Sequence, residues 1–385
     1  MIPPFTLPLL LLLSSTTTTT TLATEREPLQ LWELGQLLYF DTNLSFNRTQ
    51  SCATCHAPAN GLADGRDNAG WKGAASLGDD GRSLGDRSAP TASYARFAPM
   101  FHQRSDGSYV GGQFWDGRAA DLTEQAEGPP LNPIEMGLPN KATAIARLQE
   151  NPHYITAFKA HFGDEIFNDI DLAYHAMATA IADFEQQSPL FAPFDSKYDR
   201  YLRGEYQLTP EEDLGMTLFF SQQFTNCNLC HQLQPRPGAA QELFTNYEYH
   251  NIGVPENRPL RLANGVTTLD QGLLNHPLID DPAQAGKFKV PTLRNVAVTA
   301  PYMHNGIFKE LRTVVLFYNK YNSRSPERQL NPETGQPWQA PEIEANLALT
   351  ELEHGPALKD REIDALVAFM RLLTDSLYET DSGQQ

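Results

Sequence analysis

Two short stretches could do chemistry: SCATCH, Ser51 to His56, and NCNLCH, Asn226 to His231. Each contains Cys-x-x-Cys-His, and together they use all four cysteines, Cys52, Cys55, Cys227 and Cys230. Three chemistries use such a cysteine pair. A thioredoxin-like dithiol leaves the histidine after each pair unexplained. A zinc site could collect four thiolates only by joining distant parts of the chain, with His56 and His231 idle. Covalent haem attachment uses every residue, as two thioethers and an imidazole on the iron. The spacing therefore predicts two haems of the c type, with His56 and His231 as iron ligands.

Elements must hold these pentads in place. LGQLLYF (Leu34 to Phe40) precedes the first pentad and LGMTLFF (Leu214 to Phe220) the second. Each reads as a helix leading into a haem, and the pair as a weak internal repeat. Thr209, Pro210, Glu211 and Glu212 are a helix start for the second copy. Leu172 to Gln187 and Asp360 to Thr374 read as further helices, the latter with a stripe of Ile363, Leu366, Val367, Met370 and Leu373. Strand signals are few, and Gly- and Pro-rich stretches separate the helices. The expected fold is mainly α: two c-type cytochrome domains, each around one covalent haem, with the active site at their interface. The expected division is a signal peptide at 1–23, an N-terminal haem domain at 24–198 and a C-terminal haem domain at 199–385. NPETGQPWQAPE, around Trp338, reads as a surface loop.

The chain has 385 residues and a net charge of −18. That charge argues against nucleic acid as a partner; it suits solubility or a basic partner. Leu9 to Leu13 is too short to span a bilayer and reads as the core of a secretory signal, with cleavage after Ala23, although no Lys or Arg precedes it. Haem attachment to such pentads occurs outside the bacterial cytoplasm, so periplasmic or cell-surface localisation is expected, with no membrane span after signal removal.

Further motifs carry a resemblance. GQFWDGRA (Gly112 to Ala119), EQAEGP (Glu124 to Pro129), NPIEMG (Asn132 to Gly137), KVPTLRNVAVTAPYMHNG (Lys289 to Gly306) and LFYN (Leu316 to Asn319) resemble, in order and spacing, the bacterial dihaem cytochrome c peroxidases and the related MauG proteins. The resemblance runs from about Leu31 to Leu373. It implies Trp115 between the haems, Gln125 and Glu135 over the open face of the first haem, and Tyr318 as distal ligand of the second. It also implies one calcium ion on the carbonyls of Thr299 and Pro301. Ser88 stands where the family has a calcium-binding asparagine.

The residues suit that chemistry. Cleaving a peroxide O–O bond needs an open metal position, a group to move a proton, and a polar group facing developing charge. Glutamate and glutamine can supply the last two. Ordinary peroxidases of the family often hold a histidine from the loop after the first pentad on that haem's distal face. No histidine lies between His56 and His102 here, so the resemblance implies a first haem that stays open, unless His102 or Met100 reaches it. His250, His276 and His304 lie near recognisable motifs and are not taken as ligands. His153, His161, His175 and His354 read as structural. In ordinary peroxidases of the family the second haem's distal ligand is Met, which raises its potential; a tyrosine oxygen favours the more oxidised iron.

The resemblance implies an enzyme that uses hydrogen peroxide to form a high-valent dihaem state. That state would oxidise a side chain, a tryptophan, of an exported partner, as in MauG-like oxidases, including those paired with copper-binding proteins. The alternatives are a cytochrome c peroxidase fed by a small cytochrome or cupredoxin, and a non-catalytic electron-transfer dihaem cytochrome. Gln125 and Glu135 argue against the last, because an electron carrier needs no polar peroxide pocket.

Overall fold

The computed structural model describes Met1, residues 29–232 and residues 242–379. Apart from Met1, the expected signal segment lies outside the described residues. Helices of 8 to 18 residues joined by long irregular segments make the frame, and the described strands are two-residue pairs.

The two leading helices form as expected. Leu31–Tyr39 buries Leu34, Leu38 and Tyr39. Pro210–Phe220 starts at Thr209, whose side chain accepts from the Glu212 amide while the Glu212 carboxylate accepts from the Thr209 amide. This reciprocal cap satisfies two backbone donors that the helix itself cannot. Each leading helix packs on a longer one: Leu31–Tyr39 on Ile170–Gln187, and Pro210–Phe220 on Asp360–Arg371. Ile170–Gln187 is rich in alanine on its buried face, including Ala173, Ala176 and Ala180, which lets the helices approach closely. The stripe foreseen on the last helix is buried in full, from Ile363 to Leu373.

Two apolar cores result. One gathers Leu34, Leu38, Ile145, Phe158, Phe184 and Phe191; the other gathers Phe219, Phe244, Leu316, Ile363, Phe369 and Leu373. Each such fully buried side chain stabilises by about 1.5–3 kcal/mol. The helix Lys197–Leu202 is tied to the second core by Arg294. That fully buried guanidinium donates to both carboxylate oxygens of Asp199 (2.5 and 3.0 Å) and to the Glu242 carbonyl.

The two halves meet along several polar contacts. Tyr94 donates to Asp375 at 2.7 Å, and Asp375 also accepts from the Asn295 amide at 2.7 Å. Arg87 forks onto Asp270 at 2.6 and 2.7 Å and reaches Asp116 at 2.7 Å. The Ser88 amide donates to the His304 carbonyl, and the Lys289 amide to the Trp115 carbonyl.

One expectation needs correcting. The segment around Trp338 is not a plain surface loop. Leu330–Asn331 pairs with Gln336–Pro337, and the hairpin turns Trp338 inward against Phe308 and Phe317, each at 5.7 Å between ring centroids. Its indole N–H donates to the Arg328 carbonyl at 2.8 Å. An indole has too much apolar area to leave in water when a core lies within reach.

Candidate active site: two cavities joined at Trp115

The pentads fold alike. Cys52–Cys55 and Cys227–Cys230 are single helical turns, so the sulfurs at i and i+3 share one face, and His56 and His231 end the turns. In the first, the Ser51 amide donates to the Thr54 hydroxyl at 2.9 Å, which fixes the start of the turn.

Cys52, Cys55 and His56 line an open cavity with about 1880 Å³ of atom-free space. The structure brings Gln125, Glu135 and Trp115 into the same cavity. Gln125 comes from the helix Leu122–Glu127, capped by Asp121, and Glu135 from the turn that follows Asn132. Burial pushes the Glu135 carboxyl above the ordinary glutamate range, opposed by the charge of Arg118 and a hydrogen bond from Asn132. His102 and Met100 do not line this cavity. His102 is exposed, with Nδ1 2.8 Å from the Met100 carbonyl, and Met100 is 64% exposed.

Cys227, Cys230 and His231 line a second cavity with about 1570 Å³ of atom-free space, and Tyr318 faces into it from the helix Leu311–Asn319. The Tyr318 hydroxyl makes no hydrogen bond among the described residues. Burial pushes its pKa above that of an ordinary phenol, so only a nearby cation could hold it as phenolate. His250, His304 and His354 also line this cavity. His304 stacks on Phe288 at 3.6 Å, and His354 faces the Gln222 carbonyl at 2.8 Å. His276 stacks on Phe101 at 4.1 Å; His161 faces the Leu29 carbonyl, and His175 the Glu127 carboxylate at 2.7 Å, while His153 is exposed.

Trp115 lines both cavities. Its indole N–H donates to the Ser88 carbonyl at 2.9 Å. A third cavity brings Ser88, Thr299 and Pro301 together. The Ser88 hydroxyl there donates to the Met303 carbonyl at 3.1 Å.

Both main cavities fit a haem c. Their sulfurs share a face, and the second is walled by apolar side chains such as Phe219, Leu293, Val315 and Met370. His56 Nδ1 lies 3.2 Å from the Leu62 carbonyl, and His231 Nδ1 2.8 Å from the Phe244 carbonyl. That contact selects the tautomer that leaves Nε2 for a metal. Burial lowers the pKa of both imidazoles, His231 to about 4, which keeps them neutral and able to ligate. Burial also pushes the Cys52 thiol up to about 12 and Cys55 and Cys227 up to about 11.

Comparison with known proteins decides the family. The profile described as "Di-haem cytochrome c peroxidase" matches residues 30–207. Methylamine utilization protein MauG of Paracoccus denitrificans is 53% identical over 348 residues, covering 90% of this chain and 89% of that one. The chain belongs to the bacterial dihaem cytochrome c peroxidase and MauG family. It is a hydrogen-peroxide-dependent dihaem oxidoreductase of two cytochrome domains. Among solved structures, the diheme peroxidase BthA of Burkholderia thailandensis superposes with a TM-score of 0.79 at 32% identity, covering 91% of this chain and 87% of that one. A MauG-like protein associated with microbial copper homeostasis gives 0.65 at 28% identity, with 91% of each chain covered.

Sequence reasoning missed several site residues. Glu185, on the long helix, faces the first cavity, and burial alone pushes its carboxyl up to about 8. Lys289, beside Trp115, is pushed down to about 7 by burial, and its ammonium donates to the Gly112 carbonyl. Arg87 and Arg118 both engage Asp116, next to Trp115. Lys289 stood inside a quoted motif, and a charge inside an apolar helical stripe was the only signal for Glu185.

Proposed function

We propose that the protein is an exported oxidase that uses hydrogen peroxide to oxidise a tryptophan side chain of a partner protein. The observation that carries this is that Tyr318, at the position where ordinary peroxidases of the family have a Met, faces the cavity of Cys227, Cys230 and His231. Haems bound in the two cavities would supply redox-active irons for the reduction of peroxide. In this reading His56 and His231 ligate the irons, Tyr318 ligates the second, and the four cysteines hold both rings. Glu135 takes a proton from peroxide and returns it to the departing oxygen, its carboxyl raised by burial above the ordinary glutamate range. Gln125 turns its amide toward the charge that develops on the O–O bond. Trp115, facing both cavities, passes electrons between them. Each peroxide takes two electrons and two protons and leaves two waters. The electrons come from the partner's indole, which gains one oxygen from water.

The MauG relative is a methylamine utilization protein, so the partner is sought among exported methylamine-oxidising proteins before copper-binding ones. No described helix is long and apolar enough to cross a membrane, which accords with a periplasmic or surface location. A calcium ion on the Thr299 and Pro301 carbonyls belongs to the same reading, and elemental analysis of the dialysed protein measures it. The deciding experiment adds peroxide to the fully oxidised protein with a candidate partner and no reductant. Added oxygen mass on a partner tryptophan supports the proposal. An enzyme inert until one haem is reduced, which then consumes a small cytochrome rapidly, makes it a cytochrome c peroxidase instead.

A further inference from the structure

A haem of the c type brings two carboxylates into its cavity, on the ring edge opposite the thioether carbons. Buried carboxylates need charged or hydrogen-bonding partners. Three guanidinium groups line the first cavity: Arg87, Arg118 and Arg261. Arg87 already forks onto Asp270 and reaches Asp116. Arg118 spends one nitrogen on both oxygens of Asp116, at 3.0 Å each, and its side chain is 39% exposed. Arg261 differs from both.

Arg261 belongs to the C-terminal half, on the short helix Arg258–Ala263, yet it reaches the cavity of Cys52 and Cys55. It is 6% exposed. One terminal nitrogen donates to the Thr268 carbonyl. Its Nε makes no hydrogen bond; Glu256 and Glu342 pair with it only as ions, each at 3.8 Å. A buried guanidinium N–H without a hydrogen bond lacks an acceptor that a further carboxylate oxygen can supply. The charged neighbours of Cys52 and Cys55 are a different set: Glu185, Glu135, Asp64 and Arg66.

We propose that Arg261 binds a carboxylate of the first haem, so that the second half of the chain grips the cofactor of the first. It is a positioning residue: it holds the haem edge and places a positive charge beside it. The inference rests on the first haem occupying the Cys52 cavity. Thr268, Asp270 and Asn275, from the same stretch of the C-terminal half, line the cavity around it.

The test uses the dihaem protein. In Arg261→Gln, the propionate bending band of the first haem should move in resonance Raman, and that haem's midpoint potential should fall because a nearby positive charge is gone. The second haem should keep its potential. An unmoved band and unmoved potentials, with two haems per chain, overturn the proposal. If Arg261→Gln does not hold two haems, Arg261→Lys decides. A lysine keeps the charge but lacks the Nε donor, so the potential should stay and the band should move; an unmoved band is again fatal. The band is assigned with Cys52→Ala/Cys55→Ala, in which it should vanish. If it persists there, the placing of the first haem has failed, rather than the role of Arg261.

Discussion

Gly215 meets Ala365 so closely that a Cβ on the glycine would lie 1.9 Å from the Ala365 carbonyl oxygen. Gly35 meets Ala180 in the same way, at 1.8 Å, and in both places the next nearest side chain is a phenylalanine, Phe369 or Phe184, at 2.9 Å. The repeated Leu-Gly pair is thus one packing solution used twice. No side chain fits between these helices without moving backbone. Gly215→Ala should destabilise its half by about 1–3 kcal/mol or more, the range for overpacking. The check is a lowered melting temperature together with loss of haem from the second site. Gly35→Ala should do the same to the first.

Haem load tests the pentads directly. The mature protein should carry two covalent haems, and Cys52→Ala with Cys55→Ala should leave one, measured by intact mass and pyridine haemochrome. Stoichiometric zinc, or one haem in the unaltered protein, would refute the assignment of both pentads.

Glu135 should govern reaction with peroxide. Glu135→Gln should slow it by about 10²-fold or more at unchanged haem content, the scale for losing an acid–base group. The sign of the pH effect follows from the raised pKa. The carboxylate is the proton acceptor, so the rate should fall as pH drops through a value above the ordinary glutamate range, and the variant should lack that limb. Stopped-flow absorbance across pH measures both.

Tyr318→Met should raise the midpoint potential of the second haem, since a Met/His pair favours the reduced iron. Oxidation of the partner should weaken, while turnover of a small cytochrome should improve. Spectroelectrochemistry with partner mass spectrometry reads both; an unchanged potential would mean that Tyr318 is not a ligand.

Much of the frame was legible because it is written locally. Thr209, Pro210 and Glu212 spell a helix start, the stripe from Ile363 to Leu373 spells a buried face, and each pentad spells its own chemistry. Contacts between distant segments leave no such trace. Nothing near Arg261 announces that it reaches the cavity of Cys52, and nothing near Arg87 announces Asp270, 183 residues away. Glu185 left one trace, a charge inside the apolar stripe of its helix, but nothing in the sequence says which cavity that stripe faces. Trp338 misled for the related reason that its neighbours in sequence are polar, while its neighbours in space, Phe308 and Phe317, come from the segment before it.

The hydrogen bond from the Trp115 indole ends on the Ser88 carbonyl, an oxygen that can accept a hydrogen bond but is far too weak a base to keep the proton. An indole that gives up an electron becomes strongly acidic at nitrogen, and where a base waits the proton leaves and the charge is trapped as a neutral radical. Here the proton has nowhere to go. The ring must return to its starting state by taking an electron back, with its N–H bond never broken. On the proposed role of Trp115, charge therefore crosses the ring without transfer of that proton, and the crossing should run at the same speed in heavy water as in light.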